Sequence, residues 1–192
     1  MADFIRTLVS LVLANYPLVF FALGLIAAAI SLQRSPEPAK ARLIVEKLLA
    51  WHVFFAIGLY FFYNFVMHSL FGKMSARFIG WQDSPFQFEV ATASLGFAVV
   101  GLYAAFRGFE ARVAAIAGPA MFNLGAAAGH VYQMVTAGNF APGNAGLIFW
   151  MDIATPVFGA VLLVLSARVA RPSTAARAPR AAREERAALL TL

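Results

Sequence analysis

From residue 48 to residue 71 the chain carries no lysine, arginine, aspartate or glutamate. Crossing a bilayer takes ~20 apolar residues in a helix, and this run is one of several. Similar runs cover residues 4–32, 84–106, 113–137 and 145–167, with most charges confined to the short breaks between them. In lipid the backbone must satisfy its own hydrogen bonds, so such a chain folds as α-helices. The expected fold is all-α: a polytopic membrane helix bundle of five transmembrane helices, a four-helix core plus an N-terminal helix. Hydrophobic residues make up 61% of the 192 and charged ones only 12%. That leaves too little polar surface for a domain facing water.

The breaks carry the local signals. The first run is too long for a signal-peptide core and no small-x-small site follows it, so it is expected to remain as a span. Pro17 is expected to kink it near mid-bilayer. Pro36 and Pro38 end it, and the next helix is expected from about Ala39, with Arg42 and Glu46 paired on its wet end. Residues 72–83 read as a short interfacial loop holding Lys73, Arg77 and Trp81. Ser84, Pro85 and Gln87 read as a capping box opening the third span. Gly125 and Gly129 form a GxxxG pair suited to close packing, against another helix of the chain, a second copy or another membrane subunit. Residues 138–144 read as a turn. The transmembrane domain is thus residues 1–170. Residues 171–192 are expected to be a disordered basic tail, with a short helix near 183–190. No internal repeat is visible.

The net charge is +6, and from Arg168 onward six arginines and two glutamates supply +4 of it. A basic tail beside a span sets orientation and meets anionic lipid, so no nucleic-acid partner is expected. Alternating loops put Arg34, Lys40, Arg42, Lys47, Arg107, Arg112 and the six tail arginines on one side. Arg6, Lys73 and Arg77 fall on the other, twelve against three. The positive-inside rule then places the N-terminus outside and the C-terminus in the cytoplasm. With no cysteine in the chain, disulfide, thiol and thiolate-metal chemistry are excluded.

That topology assigns a depth to each polar residue. Asn64 and His68 share a face of span two, one turn apart. Glu89 opens span three. Asn123 and His130 share a face of span four, with Gln133 a turn further out, and Asp152 lies about two turns into span five. Four different helices thus each send ionisable or amide groups into the outer half of the bilayer. A carboxylate at mid-span costs about 2.5–3.5 kcal/mol on insertion scales, so such groups turn inward and find partners. The expected site is an outward-facing polar pocket with His68, Glu89, His130 and Asp152 as its ionisable members. These four are candidate ligands for a divalent metal, although none of their spacings is a recognised local metal motif. They suit a proton relay, or polar handles for an amphiphile such as a quinone, equally well. Lys73 and Arg77 border the same mouth. His52, beside Trp51, is set apart as an interfacial anchor in the cytoplasmic leaflet.

Three runs carry a resemblance: Gly80-Trp81-Gln82-Asp83-Ser84-Pro85-Phe86-Gln87-Phe88-Glu89, then Gly129-His130-Val131-Tyr132-Gln133, then Asn139-Phe140-Ala141-Pro142-Gly143-Asn144-Ala145-Gly146. They resemble a family of small bacterial multi-pass membrane proteins of unknown function, which implies a bacterial inner-membrane location. More remotely, a glutamate-opened helix with a glycine-rich run, followed by a helix ending in histidine, is similar to the DoxX-like four-helix superfamily. That group includes quinone-linked and redox-associated members. Its vitamin-K-reductase type needs cysteines, so thiol chemistry does not carry over. The leading functional expectation is a binding or accessory module holding a small ligand, a quinone or a metal. One alternative is a membrane-embedded enzyme doing His/carboxylate acid–base chemistry on a lipid-like substrate. The other is a structural or assembly subunit packing through Gly125 and Gly129.

Overall fold

The computed structural model describes residues 14–170. The expectations for residues 4–13 and for the tail at 171–192 lie outside the described residues. Every element among them is helical. The order is α1 (Tyr16–Gln33), α2 (Ala41–Leu70), α3 (Gly72–Ile79), α4 (Phe86–Ala104), α5 (Phe109–Ala137), α6 (Pro142–Ala145) and α7 (Leu147–Ala170). Among the described residues four helices are long and apolar enough to cross a bilayer: α1, α2, α4 and the α6–α7 stretch Pro142–Ala170. The 29-residue α5 is long enough but is not in that set. Gly118, Pro119, Asn123, Gly125, Gly129, His130 and Gln133 dilute its apolar run.

Several local expectations are corrected. Pro17 lies in the first turn of α1, where its missing N–H leaves no helical bond unmade; the kink expected of it would join α1 to residues that lie outside the described ones. The loop after α2 contains the helix α3, which stops at Gly80 with φ +77°. That left-handed conformation suits glycine, and an added Cβ would also meet the Asn139 side chain at 2.8 Å. No capping box opens α4: its cap position is Pro85 and no side chain caps it, because Gln87 is turned toward His68 instead. Glu46 pairs with Arg112 of α5 at 2.6 Å. The Arg42 partnership gives way to a contact that joins two helices.

The bundle is layered along its axis. Where α2 and α5 begin and α4 and α7 end, Leu49, Val53, Ala104, Ala105, Ile116 and Leu162 form an apolar cluster. A second cluster lies midway, with Ile57, Tyr60, Phe61 and Ala98 packed against Phe97 and Phe122. Beyond it, at the end capped by α3 and α6, the interior turns polar. Large apolar side chains such as Ile26, Phe62, Val99, Met121 and Val161 point outward, as lipid contact requires. His52 also departs from expectation: it is buried, with its ring against Phe21 and Phe158. An imidazole with apolar rings on both sides is core, not an interfacial anchor.

The tight helix contact is not at the GxxxG pair. Residues Val53–Leu59 of α2 form a π-helical segment, a device that occurs mostly near functional sites. Within it Gly58 meets Gly101 of α4, where an added Cβ would sit 2.8 Å from the Gly58 nitrogen. Around Gly125 nothing lies within 4 Å, and Gly129 faces only the Trp81 ring at 3.4 Å. Within the described chain, then, the GxxxG face meets no neighbouring helix. Gly101→Leu should lower stability in detergent by roughly 1–3 kcal/mol through overpacking against backbone. Gly125→Leu should leave the monomer's melting temperature unchanged. Equal melting temperatures for the two variants would contradict this packing.

Candidate functional site

The polar end is organised around Asn144, which is fully buried. An indole N–H can only donate, so the atom facing Trp81 must be the carboxamide oxygen. Asn144 Oδ1 accepts from Trp81 Nε1 at 2.9 Å and lies 2.8 Å from His130 Nδ1. Its Nδ2 donates to the carbonyls of Asn139 at 2.8 Å and His130 at 3.2 Å. Both lone pairs and both N–H groups are used. Because Oδ1 can only accept, His130 Nδ1 must carry the proton, which fixes the ring's tautomer and orientation.

The other ring nitrogen, His130 Nε2, then faces Asp152 Oδ2 at 3.6 Å. Both residues are almost fully buried, at 5% and 3% exposure. The second carboxylate oxygen accepts from the Tyr60 hydroxyl at 3.4 Å. The Tyr60 and Tyr16 rings stack at 5.4 Å, which joins α1 to α2 at this level. Tyr16 also donates to Asn64 Oδ1 at 3.1 Å, Asn64 Nδ2 donates to Ser94 Oγ at 2.9 Å, and Ser94 donates to the Val90 carbonyl. The result is one run of polar groups, joined by hydrogen bonds, the His130–Asp152 contact and the Tyr16–Tyr60 stack, drawn from α1, α2, α4, α5, α6 and α7. Trp81 stacks on the His130 ring at 5.4 Å and is 40% exposed, so it forms the layer between the histidine and the surroundings.

Of the seven residues expected to meet, Asn64, His130 and Asp152 lie on this chain. His68 does not: its Nδ1 donates to Gln87 Oε1. It lines a separate open groove of about 480 Å³ shared with Lys73, Arg77 and Phe88. Glu89 is exposed. Its place in the first helical turn, where a carboxylate meets the helix dipole while still solvated, removes any need to turn inward. Gln133 is half-buried and supplies its backbone carbonyl to the Asn139 N–H. Asn123 is buried with its Oδ1 unpaired. The four-ligand metal cluster is not assembled, and among the described residues no three His, Asp or Glu side chains group to hold a metal. His68 is held away from the His130–Asp152 pair by Gln87, and Glu89 stays exposed at the start of α4.

Residue-by-residue reading missed Asn144, Trp81, Tyr16, Tyr60 and Ser94. Asn144 looked like a turn residue and Trp81 like part of a short interfacial loop. A usable signal was present: the three runs that carry the family resemblance meet here. Trp81 comes from the first, His130 from the second, and Asn139 and Asn144 from the third.

Apolar helices of membrane length around a buried polar chain define a helical membrane protein. Within that class, residues 14–172 match the model of a family of unknown function, DUF6790, and the chain belongs to that family. No curated protein and no solved structure matches it.

Asn144→Leu should be strongly destabilising, by about 2–4 kcal/mol, because it leaves the Trp81 and His130 N–H groups buried without acceptors. Asn139→Ala should cost less, about 1 kcal/mol, since the Ile79 and Gly80 carbonyls lose a donor and the Ala141 N–H its acceptor at partly exposed positions. Thermal melts in detergent order the two. A smaller loss for Asn144→Leu would mean that Asn144 does not hold the site together.

Proposed function

We propose that this is a five-span protein of the bacterial inner membrane whose His130–Asp152 pair exchanges a proton at the outer end of the bundle. The observation that carries the reading is the Asp152 carboxylate, shared between His130 Nε2 and the Tyr60 hydroxyl in a buried, six-helix polar chain. Ionisable groups at membrane depth are costly, and where they persist they mark proton and ion routes. His130 can take a proton only on Nε2, the nitrogen facing the carboxylate, because Asn144 holds the other. A protonated Asp152 can donate to the Tyr60 hydroxyl, so a single proton can rest on His130 Nε2 or on Asp152 without moving a helix.

Five crossings follow from α5 returning between α4 and α7 through short turns, about 43 Å of helix at ~1.5 Å per residue. Orientation follows from charge. Arg34, Lys40, Arg42, Lys47, Arg107 and Arg112 gather at one end, against Lys73 and Arg77 at the other. Reporter fusions should read Ala39 as cytoplasmic and Ser75 and Asn139 as external. A cytoplasmic Asn139 would overturn the topology.

A second reading, a binding module for a quinone-like amphiphile, is favoured by the groove lined by His68, Gln87, Lys73, Arg77 and Phe88. It offers a hydrogen-bonding imidazole, two cations and an aromatic wall to a polar head.

Proton exchange is tested through Trp81, whose emission reports the charge state of the imidazole stacked on it. In a Trp51→Phe/Trp150→Phe background the emission should change as pH is titrated. His130→Gln should abolish the change. Asp152→Asn, which keeps the shape and removes the charge, should displace or abolish it with melting temperature within a few degrees. A pH-independent signal in the parent, or an identical profile in His130→Gln, would reject proton exchange at this pair.

A further inference from the structure

We infer that the groove between the end of α1 and the first half of α2 binds the headgroup of an anionic phospholipid. The groove is an open hollow of about 490 Å³ whose lining includes Ala27, Ile30, Ser31, Arg34, Lys47 and Trp51. Its chemistry runs from apolar to cationic along α1. Ala27 and Ile30 face the lipid-exposed belt that Leu23 and Ile26 continue, and Arg34 lies one turn beyond Ile30. Lys47 approaches from α2, so the two cations reach one hollow from different helices. No acidic residue lines it. Glu46, the acidic neighbour of Lys47, is held by Arg112 on another side of α2. Among the described residues neither Arg34 nor Lys47 has an ion-pair partner.

The walls are set by packing. Gly24 brings α1 close to α2, where an added Cβ would sit 3.1 Å from the Trp51 carbonyl oxygen. The Trp51 ring is fixed edge-on against Phe54 and Phe106 at 5.7 and 5.4 Å. An aromatic ring, two unpaired cations and a serine hydroxyl beside an acyl-wide apolar strip match a phosphate headgroup with its chains in the bilayer. Basic pockets between transmembrane helices on the positive side hold phospholipid heads in this manner. The hollow lies at the end opposite the His130–Asp152 pair, so the inference stands independently of proton exchange there.

Native mass spectrometry of the full chain in detergent, with phosphatidylglycerol and phosphatidylcholine in competition, provides the test. The parent should retain one phosphatidylglycerol in preference to phosphatidylcholine. Arg34→Gln/Lys47→Gln should weaken that retention roughly thirtyfold, at about one charge-sized increment for each cation. Arg34→Lys/Lys47→Arg should preserve it, which separates lost binding from lost folding. Lys40→Gln/Arg42→Gln, equal in charge change and at the same end but outside the hollow's lining, should leave it unaltered. Equal retention of the two lipids, equal loss in both Gln pairs, or full displacement by millimolar inorganic phosphate would overturn the proposal.

Discussion

The Asp152 carboxylate is the constraint around which one end of this bundle is arranged. A carboxylate among apolar helices is tolerated only when its oxygens find partners, and here each has one, on a different helix. His130 can serve only if its ring is held in one orientation. That task falls to Asn144, whose four hydrogen bonds tie α5 to α6 and to the loop at Trp81. Tyr60 can serve only if α2 stays close. The Gly58–Gly101 contact and the stacking of Tyr16 on Tyr60 hold it there. A single buried carboxyl group thus accounts for the convergence of most of the helices at this end.

The opposite end solves a similar problem differently. Arg112 is buried, but its partner Glu46 is half-exposed, so the pair keeps one side in contact with the surroundings. Between the two polar ends, alanine, phenylalanine and leucine fill the interior. His52 sits within that apolar zone with Nε2 unpaired, beside Gly159, whose missing side chain leaves room for the ring. The bundle therefore combines a saturated polar network with isolated polar atoms. Among the described residues only the network sets a histidine against a carboxyl group, the arrangement that the proposed proton exchange uses.

The GxxxG pair and the capping box show how local motifs lose to tertiary demands. Gly125 and Gly129 have the spacing for close helix packing, but α5 turns them toward the outside and toward Trp81. Glycines outside any such motif, 58 and 101, carry the contact instead. Gln87 could cap α4, but His68 offers its side chain a charge-capable donor on a neighbouring helix. In both cases the motif states what a segment can do alone, and the neighbour decides what it does.

Hydropathy and charge alone determined that the chain is helical, that it belongs in a membrane, and where most helices start and stop. Those properties follow from the cost of exposing backbone polar groups to lipid, a cost each segment meets by itself. The sequence also determined that Asn64, His130 and Asp152 share a depth, because depth is counted along a helix from its end. Only the tertiary structure decided which residues at that depth meet, since rotation about each helix axis depends on its neighbours. It took His130 and Asp152 inward together and left Glu89 outside with the solvent-facing start of its helix. It also drew a turn asparagine, Asn144, into the centre. A side chain four hydrogen bonds short is worth burying only where the fold brings all four partners to it.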